Sequence, residues 1–217
     1  MKKTCLLAAV LLIGFAAYGA DFSASALSGF NGGLSFRVAG TIAHFAQGFP
    51  LSFEFGIGHT RLDPGNPELA RRIFINEATN GTPEKTGYSW EFRLNFLYQI
   101  RFLGMQDAHV FVGVRRTAFD ANFRYVGGNE LFDVTSDLWG VGAGLQSNFP
   151  MGRNVSFTMT AGFDYYPNAI LTGHDTTYSP DGENINQKEV FTYKDADNAI
   201  NQPKFQPLLM VGITVGF

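Results

Sequence analysis

The ionisable residues best placed to do chemistry in this chain fall at strand-like spacing. Arg37, Glu54, Glu91, Arg93, Arg101, Arg115 and Asp164 lie among Gly, Ser, Thr, Asn and Gln on one side of a two-residue alternation whose other side is apolar. Mixed signs on one face favour mutual neutralisation over a selective ion path, and predict a buried ion-pair and water network filling an enclosed lumen. Catalytic patterns are weaker. His174 and Ser179 are residue types of a hydrolase, but a nucleophile and its base need a fixed mutual geometry, and both fall in a polar loop. That loop, residues 167–204, also carries Asp175, Asp181, Glu183, Asp195 and Asp197. Their oxygens suit calcium, yet the ordered 12-residue spacing of a helix-loop-helix site is absent, so a solvated polar loop is expected. His44 and His59 fall on the apolar face near strand ends, as interfacial histidines would. No Gly-rich phosphate loop, zinc spacing or nucleophile elbow occurs, so no catalytic residue, metal or cofactor is expected.

The elements that must position the charged set are strands. Between residues 87 and 102, Tyr88, Trp90, Phe92, Leu94, Phe96, Tyr98, Ile100 and Phe102 share one face, opposite Ser89, Glu91, Arg93, Asn95, Leu97, Gln99 and Arg101. The last segment, 205–217, sets Leu209, Val211, Ile213, Val215 and Phe217 against Met210, Gly212, Thr214 and Gly216. The same alternation runs through 34–44, 51–59, 109–116, 138–148 and 155–165; residues 22–29 follow it less sharply, with turn residues Asn31-Gly32-Gly33 behind them. Eight strands result. Short turns at 46–50, 103–107 and 149–154 alternate with longer connections, as an antiparallel up-and-down barrel with both ends on one side requires.

One such strand fits a soluble sandwich, apolar face inward, or a membrane barrel, apolar face outward. The aromatic load, the N-terminus and the terminal Phe217 favour the membrane. Met1-Lys2-Lys3 is basic, the apolar run from Leu6 to Phe15 is too short to span a bilayer as a helix, and Ala17-Tyr18-Gly19-Ala20 offers small residues for cleavage. Residues 1–20 are therefore expected to be a signal peptide, containing Cys5, and 21–217 a single all-β domain: a closed transmembrane β-barrel. Lipid has no water to satisfy a sheet edge, so the sheet must close on itself. Tyr88, Trp90, Trp139, Tyr165 and Tyr166 are expected at the outer interface, and Phe45, Phe49, Phe102, Phe149 and Phe217 at the inner one. In the loops, Asn66-Pro67-Glu68 reads as a helix cap with Pro at the first position, predicting a short helix over 68–78 that packs over the barrel mouth. Its Arg71, Arg72, Ile73, Phe74 and Ile75 are the side chains available to lipopolysaccharide or a partner, and residues 123–132 read as a hairpin rising above the membrane.

With its signal peptide, alternating strands and terminal Leu209-Met210-Val211-Gly212-Ile213-Thr214-Val215-Gly216-Phe217, the chain resembles the outer membrane protein β-barrel family, which includes the OmpA transmembrane domain, OmpX and the Ail/Lom-type surface proteins. The resemblance implies a bacterial outer-membrane location, surrounding lipid and lipopolysaccharide, contact between the terminal strand and the barrel assembly machinery, and a monomer with an extracellular partner at its loops. It covers the whole mature chain, except that OmpA continues into a peptidoglycan-binding domain; a cell-wall tether is not expected here. Formal charge is −3, or −5 without Lys2 and Lys3, which makes nucleic acid an unsuitable partner. The expected role is non-enzymatic, structural or surface-interacting, with a lipid A-modifying enzyme and a narrow solute pore as alternatives.

Overall fold

A computed structural model describes residues 19–76, 81–102, 105–128, 130–188 and 190–217, and of residues 102, 105 and 106 the backbone alone. The segment expected to be the signal peptide thus lies almost wholly outside the described residues. The wall is built from β1 (Asp21–Asn31), β2 (Leu34–Ala43), β3 (Leu51–Leu62), β4 (Thr82–Phe102), β5 (Met105–Val126), β6 (Leu131–Pro150), β7 (Val155–Tyr165) and, after two short strands β8 (Leu171–Thr172) and β9 (Thr177–Tyr178), β10 (Phe205–Gly216). Helix α1 (Pro67–Phe74) follows β3, and α2 (Tyr193–Ala199) precedes β10. Each wall strand pairs antiparallel with its neighbour in sequence, β7 pairs with β10, and β1 with β10, so the sheet closes.

The register fixes the shape. Followed once round the wall it runs Phe22, Ile42, Phe53, Phe96, Val112, Ala143, Phe163, Pro207, where the Gly32 amide donates to the Pro207 carbonyl. The circuit therefore returns to the first chain ten residues above its start, from 22 to 32. With about 3.3 Å per residue and ~4.8 Å between strands, this stagger tilts the strands by about 41°, within the range of closed barrels. Eight strands at that tilt leave room inside for side chains only.

Side-chain polarity inverts partway along β5 and β6. On β5, Val110, Val112 and Val114 are exposed and face outward, while Arg115 and Thr117 are buried inside. Beyond Arg116 the pattern reverses: Phe119, Ala121, Phe123 and Tyr125 are buried inside, and Asn122 and Arg124 face out. On β6, Val141 and Trp139 are exposed outward, and above them Leu138, Val134 and Phe132 are buried inward. The lower half has the surface of a barrel suited to hydrocarbon, greasy outside and polar within; the upper half has the polarity of water-soluble β structure. On β4 the apolar outward set from Trp90 to Ile100 spans about 25 Å along the barrel axis, the height of a hydrocarbon band. Strands of 21, 22 and 20 residues (β4, β5, β6) are about twice what a bilayer needs, so their far ends stand clear of it.

Helix α1 and the segment between β7 and β10 pack against the inner face of those projecting ends. Asn66 caps α1, accepting from the Glu68 and Leu69 amides, and Pro67 opens it. The helix ends at Phe74, four residues short of the expected end; residues 77–80 lie outside the description. Thr192 and Asp195 form a reciprocal capping box on α2. The Asn66 amide donates to Ala199 and the Asn201 amide to Pro64, tying the two helical segments together. Ile73, Phe74, Leu171, Tyr178, Ala196, Ala199 and Ile200 join Phe119, Phe123, Phe132 and Leu138 in one buried core. The expectation of a solvated polar loop over 167–204 is therefore corrected: Leu171, Tyr178, Ala196, Ala199 and Ile200 reach this core, while Asp175, Asp181, Glu183 and Asp195 are exposed around them and Asp197 is largely covered, held by Lys204 and Gln202.

Candidate functional site: a plugged lumen beneath a folded cap

Six of the seven charged residues singled out from the sequence converge inside the barrel: Arg37, Glu54, Glu91, Arg93, Arg115 and Asp164 are all buried. Arg93 donates from Nε to Glu91 Oε1 at 2.6 Å and from Nη2 to Asp164 Oδ2 at 2.9 Å. Arg115 donates from Nε to Asp164 Oδ1 and from Nη1 to Asn95 Oδ1, both at 2.7 Å, and Asn95 Nδ2 donates onward to Glu54 Oε1 at 2.7 Å. Above, the Tyr166 hydroxyl donates to Glu91 Oε2 at 2.8 Å and accepts from Thr117 at 3.0 Å. Arg37 stands 3.9 Å from Glu91. Three guanidinium groups face three carboxylates, so the set is neutral, and each carboxylate is held by at least one charged or amide donor. Burying these ions alone would cost several kcal/mol apiece; linked through Arg93, Arg115 and Asn95 they form one crossbar, which Arg37 joins by charge across 3.9 Å.

Backbone choice makes room for it. Gly142 lies opposite Asp164, and a Cβ there would overlap the Asp164 carboxylate and the Arg115 guanidinium. Leu27, Leu97, Phe111, Leu208 and Met210 pack as an apolar cluster within the same lumen. Beneath, toward the end that carries both termini, opens a cavity of about 410 Å³ whose lining includes Thr41, Asp107, His109, Gln146 and Asn148. At the opposite end the cap core lies over the mouth.

Two expectations are corrected. Arg101 is exposed, because the lower end of β4 runs past the filled part of the lumen, and it takes no part in the crossbar. Tyr166 is buried and points inward at Glu91 instead of standing in the outer girdle. Adjacent residues of an extended chain face opposite ways, so Tyr165 and Tyr166 cannot both look outward; that alternation is the signal the sequence offers. Asn95 reads as inward-facing from the sequence, but its bridging role needs the register to reveal it.

Trp90, Trp139 and Tyr165 are exposed on the outer face near the polarity inversion, and Tyr88 stacks on His59 at 6.1 Å. Arg116 pairs with Asp137 at 2.7 Å and lies over the Trp139 ring. At the other rim Phe45, Phe49 and Phe53 cluster at 5.0 to 6.3 Å, Phe149 meets Phe157 at 6.3 Å, and Phe217 is exposed. The side chain of Phe102 lies outside the description. On β10, Leu209, Val211 and Ile213 are exposed outward. His44 is in the turn after β2, exposed and bonded to Asp21 at 2.6 Å. His174 lies exposed beside Asp175, whereas the buried Ser179 bonds Asp181, so this pair forms no catalytic hydrogen bond.

The fold has counterparts among solved structures. A major outer membrane protein from Thermus thermophilus superposes with a TM-score of 0.73 at 24% identity, covering 91% of this chain and 99% of its own. Two others align over 91% of this chain at 12% identity: CarO2 of Acinetobacter baumannii, covered over 98% with a TM-score of 0.46, and Neisserial surface protein A, covered over 96% with a TM-score of 0.40. The Thermus likeness, at its level of identity, is one of fold: a small eight-stranded outer-membrane-type barrel. No protein-family model matches the chain, and no curated protein matches it.

Proposed function

We propose that this protein is a non-conducting, non-enzymatic barrel of the bacterial outer membrane, which holds a folded cap on the cell surface for structural or surface-interaction purposes. The observation that carries this reading is the double closure of the barrel: a neutral crossbar of buried ion pairs in the lumen, and a separate apolar core over the mouth. A solute would have to break both. In this reading the cap faces outward, and both termini and the short turns face the periplasm. Residues 1–20 are the signal peptide that delivers the chain, and the outward row Leu209, Val211, Ile213, Val215 and Phe217 is the segment read by the assembly machinery, after which the barrel stands as a monomer in lipid.

Planar-bilayer recordings test the closure: the refolded protein leaves the membrane without steady conductance, and a large stable open channel would overturn the reading. Mass spectrometry of lipid A from cells with and without the protein tests the absence of enzymatic action, the expected result being identical spectra. Truncating Phe217 is expected to slow assembly in cells while leaving the already folded barrel nearly as stable, since the ring is exposed.

A further inference from the structure

We propose that Arg61, with His59, Tyr88 and Trp90, forms a docking site on the barrel's outer wall for the phosphorylated sugar headgroup of an outer-leaflet glycolipid. The inference rests on the outer-membrane reading above. Because the strands are tilted, residues far apart in register share a level: Arg61 stands level with Trp90 and Trp139, about 25 Å above Phe22 along the barrel axis. That is the headgroup level, directly above exposed Phe36, Ile57 and Phe92, which offer an apolar wall to the acyl chains.

Two outward-facing arginines stand near this level, and they differ. Arg116 is neutralised by Asp137, which accepts at 3.2 and 2.7 Å from its Nε and Nη2. Arg61 is exposed and has no hydrogen-bond or ion-pair partner among the described residues. The acidic group next along its strand, Asp63, is already taken by Lys85 at 2.7 and 3.0 Å and by the Gly65 amide at 2.9 Å. The guanidinium fork is thus left facing the anionic layer, and its parallel N–H groups match a phosphate. Beside it β3 and β4 set three rings together: His59 meets Trp90 edge-on at 4.8 Å and stacks on Tyr88 at 6.1 Å, and Arg61 pairs in register with Tyr88. The exposed face of Trp90, with Tyr88 and His59 beside it, suits the C–H face of a sugar ring while the sugar hydroxyls stay in water. A glycerophospholipid offers a phosphate but nothing to lie on the rings.

The chain has two tryptophans, so Trp139→Phe leaves Trp90 as the sole reporter within the site. This variant is refolded into phosphatidylcholine vesicles containing increasing fractions of diphosphoryl lipid A, dephosphorylated lipid A or phosphatidylglycerol at matched charge, and folding is verified by heat-modifiable gel mobility. The expected result is a saturable change in Trp90 emission with diphosphoryl lipid A, about tenfold weaker in Arg61→Ala, partly restored in Arg61→Lys, and within about twofold of the parent in Arg116→Ala. An equal response to phosphatidylglycerol, an Arg61→Ala response like the parent's, or a folded barrel that ignores lipid A would each overturn the proposal while leaving the barrel standing. Failure to reach the heat-modifiable form would instead overturn the outer-membrane reading, and this site with it.

Discussion

Replacing Asp164 by Asn tests the crossbar directly. The carboxylate is fully buried, and its two oxygens accept from two arginines, Oδ2 from Arg93 at 2.9 Å and Oδ1 from Arg115 at 2.7 Å. Asn has nearly the same shape but no charge, and it offers one acceptor oxygen for two guanidinium groups. The neutral lumen becomes net positive by one charge, with one arginine facing an amide donor. Breaking a buried pair while leaving its partner in place costs about 3–5 kcal/mol, mostly from the uncompensated charge. Urea titration of the protein in lipid vesicles, followed by tryptophan emission, should register that loss. Adding Arg115→Met to Asp164→Asn removes the surplus charge, so the double variant should lose less than the two single losses summed, by about 1–3 kcal/mol. A single loss under about 1 kcal/mol, or strict additivity, would refute the idea that these ions act as one neutral unit.

Gly142→Ala should disturb the same crossbar from the wall side, because the added methyl overlaps the Asp164 carboxylate and Arg115; a loss of about 1–3 kcal/mol is expected in the same titration. Phe74→Ala removes a buried ring that meets Tyr178 edge-on at 5.4 Å. It should loosen the cap by about 3–5 kcal/mol, seen as faster proteolysis within 167–204 with heat-modifiable mobility unchanged. Asp63 is held below its ordinary value of 3.8, chiefly by the hydrogen bond from Lys85. A carboxylate depressed in the folded state contributes stability above its unfolded value and loses it as the pH falls through the lower folded one. The contribution is small at so exposed a pair. Hydrogen exchange of the Gly65 amide, which donates to Asp63, should therefore quicken below pH 3.8 beyond the intrinsic trend, and in Lys85→Met that change should shift to higher pH, since the larger cause of the depression is removed while the Gly65 bond remains.

The lower half of this fold is legible because an apolar outer face over a polar lumen imposes period two along each strand, and the inward parity of Glu54, Glu91, Arg93, Arg115 and Asp164 follows from it. Strand ends are less so. Beyond Arg116 the alternation continues with its faces exchanged, and a reading tuned to apolar-outward strands stops there: β5, expected to end at 116, runs to Val126. The core of the cap is hidden for another reason. Its residues come from three strand ends, α1, β8, β9 and α2, each contributing one to four side chains, and composition over 167–204 reports the polar majority. Which oxygen meets which nitrogen in the lumen depends on the ten-residue stagger, which no single strand contains.

The exchange of faces along β5 and β6 also bears on an order of events. In the outward-facing orientation proposed above, everything that makes up the cap would have to cross the bilayer as chain before it can collapse, since its greasy side chains lie on the inward side of the β5 and β6 ends. Its last pieces, α2 and the stretch after β7, are delivered when β10 meets β1 and the cylinder shuts. On that reading the mouth gains its cover only with the segment that runs from β7 into β10, the last part of the wall to be added.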